Sequence, residues 1–285
     1  MQYSPGEKAL PVGPVPDRLQ LDQFLLESKP DADIAAELRS LGQLIQQHVE
    51  NQYHIQPVQT SPSALAPALV DLGLMDERDP SAAVSLASLA IDTRTRWAAL
   101  QHIISRVTFA SISLDGHSPV SLLPPFAGAF VRSLPPIESH RGSSEAVNVA
   151  LTRWRQLTAF LLHPSRSERT PLMPSEDVST QQAQELAAAL SRFLQTFVSG
   201  GRESRYEQEN HLREVIVECA ALGYVIFSQP SEYRFRYDGK DGSSNGIVTC
   251  PGLDKISDEE GRRYAMPYTL VTPVIEGTYV SHSGI

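Results

Sequence analysis

Apolar side chains recur at steps of three and four residues through most of the chain between residues 31 and 222. That spacing places them on one face of an α-helix, so it predicts a helical body with a buried stripe on each helix. The longest run, in the helix predicted to begin at Asp31, consists of Ile34, Leu38, Leu41, Ile45, Val49 and Tyr53. Shorter runs predict helices over residues 19 to 27, 62 to 73, 126 to 134, 144 to 163, 179 to 200 and 206 to 222. Residues 80 to 107 are interpreted as two helices with a polar joint at Asp92, and the alternative is one long helix.

After Gly223 the pattern changes. Residues 224 to 227, 233 to 237 and 246 to 250 are short runs rich in aromatic and β-branched side chains and are separated by turn residues, which is typical of strands. The predicted fold class is therefore mainly α, a multi-helix bundle with a small C-terminal antiparallel β-sheet. We expect a flexible leader at residues 1 to 18, a helical body at 19 to 223, a small β appendage packed on the body at 224 to 258, and a loose C-terminal tail at 259 to 285.

Composition narrows the class of protein. The chain has 285 residues and a formal net charge of −9 at pH 7, which suits one large or two small globular domains. No stretch approaches the roughly 18 apolar residues that a membrane span needs, and the two cysteines, Cys219 and Cys250, are too few for a disulfide framework. We expect a soluble, acidic, intracellular protein, either cytoplasmic or nuclear.

Two clusters that combine arginine with tryptophan are the candidate ligand-binding residues. They lie in different predicted helices and consist of Arg94, Arg96 and Trp97, and of Arg153, Trp154 and Arg155. No lysine occurs between Lys29 and Lys240, so arginine supplies every lysine or arginine charge in that stretch, and guanidinium groups bind carboxylate or phosphate with two parallel hydrogen bonds. If the two helices packed together, the arginines would form a basic mouth for an anionic ligand. The alternative is that each cluster is the edge of a half-buried helix face.

Residues 233 to 237 alternate aromatic and basic side chains, with Tyr233, Phe235 and Tyr237 on one face of a strand. An exposed aromatic face next to arginine would be typical of a surface that stacks nucleic-acid bases. The favoured interpretation, given the negative net charge, is that the aromatic face covers the helical body, so a nucleic-acid partner is not expected.

Other motifs do not indicate a catalytic or metal site. Residues 242 to 246 have the G-x-S-x-G spelling of a nucleophile elbow, but the context is a glycine-rich hairpin rather than a strand that leads into a helix. His48 and His54 are six residues apart, whereas the zinc motif on a helix needs two histidines four apart. We therefore nominate no catalytic residue, no metal ligand and no cofactor.

Three segments resemble those of a broad group of uncharacterised proteins from filamentous fungi: DTRTRWAAL at residues 92 to 100, SLLPP at 121 to 125 and RWRQLTA at 153 to 159. The resemblance covers most of residues 21 to 258. It implies a fungal source and carries no activity, fold or site with it.

The favoured function is that of a non-catalytic helical protein that acts through contact with a protein partner, as a scaffold or regulatory factor. The alternative is a small-molecule-binding or enzymatic accessory protein of fungal secondary metabolism with an arginine-lined pocket. The sequence leaves the oligomeric state open.

Overall fold

The computed structural model describes residues 21–74, 80–114, 116, 118–135, 141–238 and 246–277. Within these ranges the chain forms a mainly α structure with a small antiparallel β part, which confirms the predicted fold class. The helices are α1 (Asp31–Gln52), α2 (Pro62–Asp71), α3 (Pro80–Ile91), α4 (Arg96–Ser111), α5 (Ala127–Ser133), α6 (Arg141–Leu162), α7 (Glu176–Leu194) and α8 (Arg202–Ser228). The strands are β1 (Tyr233–Arg236), β2 (Gly246–Cys250), β3 (Gly252–Ser257), β4 (Arg263–Val271) and β5 (Val274–Gly277).

The hydrophobic core lies among α1, α4, α7 and α8, with α2 and α3 closing one side. The predicted stripe of α1 is buried along its whole length, so the period-based prediction of this helix is confirmed. The polar joint at Asp92 also separates two helices as predicted, because Asp92 accepts a hydrogen bond from the Arg94 main-chain N–H between the end of α3 and the start of α4.

The predicted strand at residues 224 to 227 is wrong, because α8 continues without a break to Ser228. Gly223, interpreted from the sequence as the end of this helix, lies inside it. A Cβ atom built on Gly223 would lie 2.7 Å from the Ile112 Cβ atom, so the glycine permits close approach of α8 to the end of α4. The helical body therefore ends five residues later than we expected.

The β part consists of a three-stranded sheet in the order β1-β3-β4 and a two-stranded sheet that pairs β2 with β5. All pairs are antiparallel. Residues 263 to 271 and 274 to 277 were expected to belong to a loose tail, but they form β4 and β5. The short segment at 19 to 27 was expected to be helical, and within it Leu21–Phe24 forms a single turn of 3₁₀-helix. The predicted leader at 1 to 18 and the G-x-S-x-G segment, apart from its last residue, lie outside the described residues.

The sheet covers the helical body through the aromatic face of β1, as predicted. The Phe235 ring lies 5.0 Å from the Phe109 ring, and the Tyr237 hydroxyl donates to the Ser105 carbonyl at 3.0 Å. The opposite face carries Arg234, which is exposed, and Arg236, which forms an ion pair with Asp254 at 3.0 Å. The three aromatic side chains are therefore turned toward the helices rather than toward solvent.

Candidate functional site

Arg96 is fully buried and acts as a clamp on the main chain. Its guanidinium group donates four hydrogen bonds of 2.7 to 2.9 Å to the carbonyl oxygens of His54, Gln56, Ala90 and Ile91. These carbonyls belong to the end of α3 and to the segment after α1, so one side chain ties two parts of the chain together. Its Cζ atom also lies 5.2 Å from the centre of the Phe197 ring. Burial lowers the pKa of Arg96, and the nearby Asp92 carboxylate opposes that shift.

The neighbours of Arg96 in the sequence have smaller roles. Arg94 is exposed and forms an ion pair with Asp92 at 2.9 Å. The indole N–H of Trp97 donates to the Tyr53 carbonyl at 3.3 Å, and its ring is partly exposed. This cluster therefore fastens α4 to the end of α1, and its buried cation points into the protein rather than toward a ligand.

Arg155 has the same role at the other end of the molecule. It is 4 % exposed and lies against the C-terminal end of α8. Its guanidinium group makes five contacts of 3.1 to 3.5 Å with the carbonyl oxygens of Ile226, Phe227, Gln229, Pro230 and Ser231. The last carbonyls of a helix lack partners within the helix and carry partial negative charge, which favours a cation at this position.

Arg153 and Trp154 extend this second cluster. Arg153 forms an ion pair with Asp22 at 2.5 Å. The Trp154 ring stacks on Phe130 at 4.4 Å and meets Phe227 edge-on at 5.9 Å. The second cluster thus joins α5, α6 and the end of α8.

The structure does not bring the two arginine clusters together into one binding site. The Trp97 partner Tyr53 contacts Gln208 near the start of α8, whereas Arg155 contacts Phe227 at its end. Because an α-helix rises about 1.5 Å per residue, these two positions are roughly 28 Å apart along α8. Each cluster acts separately as an internal brace.

A cavity of about 190 Å³ lies beside the second cluster, where α4, α5, α6, α8 and β1 meet. Its walls are mostly apolar and include Leu114, Leu123, Val131, Leu151 and Phe227. Its polar lining includes Asn148, Thr152, Arg155, Glu232, Tyr233 and Arg263. Of the six predicted ligand-binding residues, only Arg155 contributes to this cavity.

A buried polar network, which the sequence analysis missed, joins α1 to α8. The Gln208 amide donates to the Tyr53 hydroxyl at 2.9 Å, and that hydroxyl lies 3.0 Å from His48 Nε2. On its other side, His48 Nδ1 lies 2.8 Å from His211 Nδ1, and the tautomer of His48 sets which atom donates in each of these two contacts. Burial, reinforced by His211, lowers the pKa of His48 to about 3.

This network holds its groups in a fixed arrangement, and His48 stays neutral near pH 7. The position of Tyr53 on the predicted apolar stripe was the only sequence signal for it, because Gln208 and His211 come from a helix more than 150 residues away. Among the residues that the structure describes, no group of three histidine, cysteine or acidic side chains is arranged to hold a metal ion.

Apolar side chains on β4 remain uncovered. Tyr264, Met266 and Tyr268 are 41 %, 82 % and 65 % exposed. They lie within five consecutive residues of β4, where the pairing with β3 is irregular between the pairs Lys255–Tyr268 and Ser257–Arg263, and we call these three side chains the β4 strip. The strip was not predicted, because residues 259 to 285 were expected to form a loose tail.

The sequence matches no protein-family model, and comparisons with curated proteins and with solved structures also find no match. In the described part of the chain, no helix combines the length and the apolar character needed to cross a membrane.

Proposed function

We propose that this chain is a non-catalytic, fungal scaffold or regulatory protein that acts by binding another protein, and that the β4 strip is its contact surface. The observation that carries the proposal is the exposure of Tyr264, Met266 and Tyr268 close together on one strand. Tyrosine and methionine are enriched at protein interfaces, and tyrosine supplies a large contact area at a small cost in conformational freedom.

The area of the strip fits this role. If each of the three side chains offers about 200 Å² when fully exposed, their combined exposed area is roughly 400 Å². The largest apolar patch on a monomeric protein is typically about 300 to 600 Å² and is often functional. Such a strip supplies about half of one side of a standard interface, so neighbouring polar residues would complete the contact.

The residues around the strip bear on its partner. Arg262 and Arg263, at the start of β4, have side chains that are 65 % and 47 % exposed, but each already has a carboxylate neighbour: Asp258 lies 3.9 Å from Arg262, and Glu232 lies 3.3 Å from Arg263. Pro267 lacks a main-chain N–H, which weakens edge-to-edge strand pairing between copies. The strip therefore favours apolar contact with a different protein over strand pairing with a second copy of this chain.

A comparative affinity capture tests the proposal. The bait proteins are the wild type, a double variant with Met266→Lys and Tyr268→Ser, and a control with Tyr206→Ser, since Tyr206 is equally exposed but lies on α8. We expect at least one protein to be recovered with the wild type and the control and to be depleted about tenfold with the double variant. Circular dichroism first establishes that all three baits are folded.

The recovered protein is then purified and titrated against the same three baits, which separates direct binding from indirect capture. Equal affinity for all three baits contradicts the proposal, as does the absence of any reproducible partner. Self-association of the wild type that the double variant abolishes would instead assign the strip to a second copy of the chain.

A further inference from the structure

We propose that the cavity beside Arg155 is a binding site for a small apolar carboxylate, such as an aromatic ring or a branched alkyl chain that ends in one carboxylate group. This inference concerns a class of ligand that the proposed protein contact does not involve, at a site that shares Arg263 with the start of β4. It rests on the volume of the cavity, the chemistry of its walls and the arrangement of charge around it.

The volume defines the size of the ligand. The cavity holds about 190 Å³. An apolar cavity of about 150 Å³ in another protein stays dry and binds benzene, so this one has room for a ring with a short side chain, or about ten non-hydrogen atoms. The side chains of Leu114, Val131 and Leu151 are only half-buried, so filling the cavity would cover apolar surface that is now incompletely packed.

The charges define the polar end of the ligand. Arg155 is 4 % exposed, and among the described residues no carboxylate lies within 4.0 Å of its guanidinium group. Its five contacts, at 3.1 to 3.5 Å, are all with neutral carbonyl oxygens. Hydrogen bonds between a guanidinium group and a carboxylate are typically about 2.7 to 2.9 Å, so this buried cation has weaker partners than a ligand carboxylate would provide.

The second cation of the cavity lies nearer to solvent. Arg263 forms an ion pair with Glu232 at 3.3 Å, and both side chains are partly exposed. Among the residues that the structure describes, the lining therefore contains two guanidinium groups and one carboxylate. One added negative charge would balance this set, whereas a ligand amine would add a third cation.

The test titrates the full chain with three compounds of nearly equal size: 3-phenylpropionate, 3-phenylpropanamide and 3-phenylpropylamine. Isothermal calorimetry and ligand-observed NMR measure their binding. We expect the carboxylate to bind with a Kd on the order of 1 mM or lower and about tenfold more tightly than the amide, with no detectable binding of the amine.

Two variants on α6 locate the site. Leu151→Trp fills the cavity, whereas Leu161→Trp adds the same side chain at a position that is 63 % exposed on the same helix. We expect Leu151→Trp to weaken carboxylate binding about tenfold or more and Leu161→Trp to leave it unchanged. If Leu151→Trp does not fold, Val131→Phe fills the same cavity from α5.

Three results would overturn the inference. The first is no saturable binding of the carboxylate to the wild type, and the second is equal binding of carboxylate and amide. The third is unchanged binding in a folded cavity-filling variant, which would place the compound elsewhere. None of these results depends on whether the β4 strip binds a protein.

Discussion

Replacement of Arg96 by methionine tests whether the first arginine cluster is a structural clamp. Methionine keeps much of the length and volume of the side chain, but it removes all four hydrogen bonds to main-chain carbonyls. The site is fully buried, so water does not readily replace the lost donors. The variant therefore isolates the contribution of the guanidinium group.

The expected loss of stability combines three contributions: the lost hydrogen bonds, the carbonyl groups left without partners, and the desolvation cost that is recovered when the cation is removed. A net hydrogen bond to a charged group contributes about 1.5 to 3 kcal/mol, and a buried polar group left without a partner costs about 1 to 3 kcal/mol. Removal of a buried cation recovers part of its desolvation cost, so the four bonds do not add in full. We expect the free energy of unfolding to fall by about 3 to 5 kcal/mol, a large fraction of the roughly 5 to 15 kcal/mol of a typical domain.

Urea unfolding followed by far-UV circular dichroism measures this loss. The matched control is Arg94→Met, which makes the same replacement at an exposed position in the same cluster and should leave the unfolding midpoint unchanged within error. Arg96→Lys keeps the charge but reaches fewer carbonyls, so its stability should lie between those of Arg96→Met and the wild type. A loss below about 1 kcal/mol for Arg96→Met would refute the clamp.

Three further predictions concern other buried positions. Gly223→Ala should lower the free energy of unfolding by about 1 to 3 kcal/mol because the added Cβ atom would clash with Ile112. Ile112→Ala should relieve part of that loss in a double-mutant cycle, and additive losses would contradict the close approach of the two helices. The pKa of His48 is lowered to about 3 in the folded state, against about 6.5 in the unfolded state, so the free energy of unfolding should fall as pH drops below 6.5, by about 2 kcal/mol at pH 5. His48→Gln should remove this pH-dependent loss, and a variant with the same pH profile as the wild type would contradict the prediction. Burial raises the pKa of Cys219 and raises that of Cys250 to about 11, so a thiol reagent at pH 8 should modify neither cysteine in the native protein. Both cysteines should react in denaturant, and rapid labelling of the native protein would contradict the prediction.

The helical body could be predicted because its signal is local. The stripe of α1 and the joint at Asp92 depend on residues within one or two turns of each other, and both predictions are confirmed. The predicted end of α8 at Gly223 is wrong because glycine ends many helices, yet here the missing side chain permits a contact with Ile112, which is more than 100 residues away. Sequence spacing alone does not distinguish these two uses.

The candidate site could be predicted only in part, for a similar reason. Arg96 and Arg155 stood out by residue type, but their partners are main-chain carbonyls, which every residue possesses and which only the fold brings within reach. The β4 strip could not be predicted from the sequence because Tyr264, Met266 and Tyr268 alternate with residues of little polarity. The alternation of apolar and polar residues that is typical of a strand is therefore weak here.

Site-specific photo-crosslinking at Tyr268 tests the central proposal most directly. A photoreactive phenylalanine analogue replaces Tyr268 in one sample and Tyr206 in a control, since both side chains are well exposed but only Tyr268 belongs to the β4 strip. We expect one dominant crosslinked protein with the probe at position 268 and none of that product with the probe at position 206. Identical crosslinks at the two positions, or crosslinks only between copies of this chain, would contradict it.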